Sequence, residues 1–75
     1  MDIGSRIKLE RERLGMTQAE MATAGGVQKV AQSNYERNVR KPNAGYLQAI
    51  AFAGADVLFI LTNQRSMRLQ NSALQ

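Results

Sequence analysis

Apolar and polar positions along the chain divide into five short helical periods. In residues 2–14, Ile3, Ile7 and Leu14, joined by the aliphatic stem of Arg11, fall at three- and four-residue steps and form one face. Asp2 is placed to cap this helix, Gly15 to end it, and Met16 to cross into the core. Arg6, Lys8, Glu10, Glu12 and Arg13 fill the remaining surface, where Arg6–Glu10 and Lys8–Glu12 have the spacing of ion pairs on a solvated face. Thr17, with Glu20 three residues on, makes a capping box that opens a second helix. Met21 and Ala22 are its apolar face, and Gly25-Gly26 stop it, because glycine enters left-handed conformations without a Cβ clash. Val27 anchors the chain after the turn, and Gln28 to Arg37 reads as a third helix.

Asn38 to Asn43 is a loop: asparagine tolerates positive φ, and Pro42 bars Lys41 from the helical region. A fourth helix runs from Asn43 or Ala44 to about Ala53, with Leu47, Ile50 and Ala51 on one face and Tyr46 at its margin. After Gly54-Ala55, Asp56 caps a fifth helix from Val57 to about Asn63. Its V-L-F-I-L run is apolar all round, which leaves two readings open: a subunit interface, or packing against helices one and four that consumes every face. Met67, Leu69 and Leu74 make no stripe, so residues 64–75 predict a frayed or partly helical tail. No period-2 alternation appears. The expectation is an all-α, five-helix domain over residues 1–63 followed by that tail.

Composition narrows the chemistry. Seventy-five residues make one domain with a small core, and no cysteine is present to staple it. With neither cysteine nor histidine, no metal site, cofactor or nucleophilic catalysis is expected, and an enzyme is the weakest reading. Ten Lys and Arg against six Asp and Glu give a formal charge of +4, which suits a polyanionic partner. No apolar run is long enough to span a bilayer and no export signal opens the chain, so a cytoplasmic protein of the nucleoid is expected.

The stretch from Thr17 to Asn38 therefore carries the function. Helix, glycine turn and amide-rich helix is the helix-turn-helix pattern. The polar surface of its second helix holds Lys29, Gln32, Asn34 and Arg37, amides and cations of the kind that base edges and phosphates accept. Arg40 and Lys41 in the adjoining loop are either a solvated pair of cations or, beside such a helix, a grip on phosphate.

Taken together, Gly15-Met16-Thr17-Gln18, Glu20-Met21-Ala22, Gly26-Val27, Tyr35-Glu36, Arg40 and Pro42 resemble the lambda-repressor/Cro type of helix-turn-helix domain, also called the xenobiotic-response-element family. Gly54 to Asn63 resembles the closing helix of small phage and prophage members. The resemblance covers about four fifths of the chain. It implies a compact lambda-repressor-like fold with helix three in the major groove of double-stranded DNA. It assigns base contacts to Gln28, Lys29, Val30 and Asn34: Lys29 to guanine, Val30 to a thymine methyl, Asn34 to adenine N6 and N7. Phosphate contacts fall to Gln18, Ser33, Arg37, Asn38, Arg40 and Lys41, with Arg6 and Arg13 as lesser candidates. Arg11 and Glu36 would form a structural ion pair. Gly25 and Gln32 depart from the family, which favours bulky aliphatic residues at both places. Either Gln32 finds a buried partner, or helix three rotates and Gln32 reads a base instead, at the expense of Val30.

The expected function is a sequence-specific transcriptional regulator, a phage or bacterial repressor. It would bind a pseudo-palindromic operator as a homodimer through Val57, Leu58, Phe59, Ile60 and Leu61. Two alternatives stand beside it: a protein-interaction module of antitoxin type, and the DNA-binding part of a longer regulator.

Overall fold

The computed structural model describes residues 1–67, which form five helices: α1 (Ile3–Arg13), α2 (Gln18–Gly25), α3 (Lys29–Glu36), α4 (Ala44–Phe52) and α5 (Val57–Thr62). Local chemistry sets their ends. Asp2 caps α1 by accepting from the Ser5 amide at 2.8 Å, Asn43 caps α4 through the Tyr46 amide at 2.8 Å, and Asp56 caps α5 through Phe59 at 3.1 Å. The Thr17–Glu20 box is closed in both directions, at 3.1 and 2.8 Å. Gly26, at φ 73°, turns the chain out of α2, while Gly25 is helical. Asn38 and Asn63 take the left-handed conformation after α3 and α5, at φ 60° and 63°.

The core joins Ile7, Met21, Tyr35, Tyr46, Ile50, Ala55 and Ile60, with Ile3, Leu14, Met16, Val27, Ala31, Leu47 and Val57 around it. α1 packs on α3 and α5, and α2 packs on α3 and α4. Among the described residues there is no strand, and no helix is long and apolar enough to cross a membrane.

Two expectations need correction. Tyr46 is buried at the centre of the molecule, and Ala51 is exposed. The reason lies in α2: a Cβ on Gly25 would sit 2.5 Å from the Tyr46 ring, so the glycine leaves the space that the ring fills. The ring also stands edge-on to Tyr35, with centroids 4.8 Å apart.

Arg6 and Glu10 are buried and do not form the predicted solvated pair. Arg6 donates to the carbonyl of Ile60 at 2.7 Å and to that of Met1, which excludes it from phosphate binding. Glu10 accepts from Arg13 at 2.7 Å, Arg65 at 2.6 Å and the Asp56 amide at 2.8 Å. Burial alone would raise the Glu10 pKa, but these donors outweigh it and hold the carboxyl at about 2.

The beginning of the predicted tail is fastened to the body. Arg65 lies 3.8 Å over the Phe59 ring while bonding Glu10, and the Ser66 amide donates to Asp56 at 2.9 Å. Leu69 and Leu74 lie outside the described residues.

Candidate nucleic-acid interface

α3 has two unlike sides. Gln32, Tyr35 and Glu36 are buried against α1, α2 and α4. Gln28, Lys29 and Val30 are exposed, and Ser33 and Asn34 are half-buried. Gln28 caps the helix through its backbone and leaves its side-chain amide outside the cap. Val30 is 64% exposed, an apolar side chain that no core contact explains.

Glu36 fixes the rotation of α3. Its carboxylate accepts from Arg11 Nε at 2.7 Å and Nη2 at 3.1 Å, from Gln18 Nε2 at 3.2 Å and from Gln32 Nε2 at 2.8 Å. The Arg11 side chain also donates to the Met16 carbonyl at 3.0 Å, so α1, α2 and α3 meet at one charge. Burial pushes the Glu36 pKa up, but Arg11, then Gln32 and Gln18, bring it below the usual carboxylate value.

Gln32 is 0% exposed and satisfied at both ends, since its carbonyl oxygen accepts from the Tyr46 hydroxyl at 2.6 Å. A side chain so placed cannot touch a base, which overturns the assignment of Gln32 as a base reader. The alternative holds: Gln32 has a buried partner, and Val30 keeps the outward position. Gln18 remains at the first turn of α2, half-buried, with one amide hydrogen engaged by Glu36 and one left to donate.

The loop after α3 divides into a structural part and a cationic part. Asn38 accepts from the Gly4 amide at 3.0 Å. Its side chain also helps hold the Asp2 carboxyl at about 2, after the larger effect of Ser5. The Asn38 amide is thus engaged by α1, and the predicted phosphate role is left to its neighbours. Gly4 allows this approach: a Cβ there would lie 2.5 Å from the Tyr35 carbonyl oxygen. Lys29, Arg37, Arg40 and Lys41 are all exposed along α3 and the loop that leaves it. Arg37 Nη2 donates to Asn34 Oδ1 at 2.8 Å, and the Asn34 carbonyl accepts from the amides of Val39 and Arg40.

On the opposite end, the apolar α5 is divided between core and solvent. Phe59 and Ile60 are buried and Val57 is packed on the core, so Phe59 and Ile60 are removed from the predicted interface. Leu58 and Leu61 remain about half exposed, at 46% and 47%. Phe52, at the end of α4, is at 85% the most exposed of the large apolar side chains described. A shallow groove nearby is lined by Ala51, Gly54, Ala55, Val57 and Leu58, with the polar Asp56 and Ser66. The sequence did carry a signal for Phe52, since it falls off the core face set by Tyr46 and Ile50. Among the described residues, no group of acidic, histidine or cysteine side chains could hold a metal.

A helix-turn-helix family profile matches residues 7–51. Two solved structures of the phage P22 c2 repressor superpose on the chain with a TM-score of 0.76 and 31% identity. One is the repressor in complex with synthetic operator 9T, covering 85% of this chain and 98% of that one. The other is the solution structure of its DNA-binding domain, covering 88% of each. No curated protein matches the sequence significantly.

Proposed function

The chain belongs to the helix-turn-helix family in its lambda-repressor form, and from that premise we propose that it is a sequence-specific transcriptional repressor of phage or bacterial type. The family is one of DNA-binding, non-enzymatic domains. The observation that carries the finer reading is the split of α3. Every buried side chain of that helix is held in the core or on Glu36, while Lys29, Val30 and Asn34 reach its outer side with Gln28 at the helix start. That set offers a donor to guanine, an apolar contact to a thymine methyl and a bidentate amide. Gln18, Arg40 and Lys41 supply phosphate contacts, with Ser33 and Arg37 at the edge of the same surface.

The operator is a pseudo-palindrome bound by two copies. A single domain of this size offers few contacts, and two-fold pairing doubles them. The exposed Phe52, Leu58 and Leu61 on α4 and α5, with Leu58 at the rim of a mostly apolar groove, support pairing at the α4–α5 end, since a projection beside a recess can be self-complementary about a two-fold axis. The P22 c2 repressor was solved bound to an operator, which supports duplex DNA as the partner here.

A salt titration of duplex binding tests the proposal. Affinity falls steeply with salt, and Arg40→Ala or Lys41→Ala each weakens all sequences about equally and flattens the log–log slope by about 0.9. Failure to bind any duplex would overturn it and turn attention to a protein partner on the apolar α5 face.

A further inference from the structure

We infer that Arg37 is a positioning residue for base reading: its guanidinium fixes the orientation of the Asn34 amide and so sets the base pair preferred at that step. This rests on the reading of α3 as the recognition helix. Arg37 is exposed and caps the C-terminal end of α3, three residues beyond Asn34. Its Nη2 donates to Asn34 Oδ1 at 2.8 Å. The main chain of Asn34 is pinned as well, because its carbonyl accepts from the Val39 amide at 2.9 Å and the Arg40 amide at 3.3 Å. The Arg37 amide is itself bonded to the Ser33 carbonyl at 3.0 Å. Backbone and side chain of Asn34 are thus both engaged within the chain itself.

The two ends of a primary amide have opposite hydrogen-bonding character: the oxygen accepts and the nitrogen donates. A free asparagine can turn over and present either end to either neighbour. With a guanidinium at Oδ1, the turned-over amide would set NH₂ against N–H, donor facing donor. Arg37 therefore keeps Oδ1 toward the C-terminal end of α3 and Nδ2 away from it. The oxygen retains a second lone pair, so the held amide can still accept from a base N–H and donate to the adjacent acceptor. It does so in one sense along the groove. Arg37 has further N–H groups for phosphate, but a phosphate contact alone carries no sequence information.

The test is binding to duplexes altered one base pair at a time, measured for the unmodified chain, Asn34→Ala, Arg37→Ala, Arg37→Lys and the double alanine variant. Arg37→Ala is expected to lose about tenfold in discrimination at the base pair that Asn34→Ala affects. Discrimination at pairs affected elsewhere stays intact. At the shared pair the double variant is no worse than Asn34→Ala, and Arg37→Lys, which still donates from the same place, recovers part of the preference. Equal weakening of every duplex by Arg37→Ala, with losses that add to those of Asn34→Ala, would overturn the inference and leave Arg37 a phosphate contact. If the unmodified chain showed no preference at any base pair, the reading of α3 would fail first, and the inference with it.

Discussion

Gly25, Gln32 and Tyr46 each look out of place alone, yet together they fill one part of the core. The glycine admits the tyrosine ring, and the ring carries its hydroxyl to the glutamine, whose other end rests on Glu36. Tyr46→Phe keeps the packing but leaves the buried Gln32 oxygen without a donor. It is expected to lower stability by about 1–3 kcal/mol in chemical denaturation. Gly25→Ala gains helix propensity of about 1 kcal/mol, but the new methyl meets the ring at 2.5 Å. Overpacking of about 1–3 kcal/mol outweighs that gain, so a net loss of stability is expected; the same Gly25→Ala step, measured in a Tyr46→Leu background that lacks the ring, is expected to cost less. The oddity of Gln32 was legible in the sequence. Its partner was not, because Tyr46 lies 14 residues away on another helix.

The helices themselves were legible because their ends are written locally. Asp2, Thr17, Asn43 and Asp56 each bond an amide three residues on, a relation that spacing reveals. The pairing of α1 was not legible, because Glu10 faces Asp56 and Arg65, 46 and 55 positions away, in addition to the nearby Arg13. That cluster has a pH signature. The folded pKa of Glu10 is depressed to about 2 from 4.5. Its stabilisation is therefore present above about pH 4.5 and is lost as pH falls toward 2. Glu36 contributes in the same direction. The Glu10 effect is at most on the order of 3 kcal/mol, reduced by solvent screening of the half-exposed Arg13 and Arg65. Acid titration of the unfolding free energy should show this decline, and Glu10→Gln should flatten it while lowering stability at neutral pH.

At the scale of the molecule, the cationic surface of α3 and its loop and the apolar α4–α5 end are separate features of one small domain. The sequence indicated both surfaces but assigned to them three side chains that are buried, Gln32, Phe59 and Ile60. Which side of a helix faces outward depends on what the neighbouring helices fill: Gln32 turned inward because Tyr46 reached it, and Phe59 and Ile60 were drawn into the core. Leu61→Glu places a charge on the exposed apolar face without entering the core. It is expected to leave thermal unfolding of the monomer nearly unchanged and to weaken binding to a two-site operator far more than binding to a half-site. Equal loss on both would remove the α4–α5 end from the pairing surface. The most direct measurement is selection of bound sequences from a random duplex pool, repeated at several salt concentrations. A two-fold symmetric motif with half-sites about 34 Å apart and a steep salt slope is the predicted result. Recovery of no motif at any salt concentration would contradict the role of α3 as a base-reading helix.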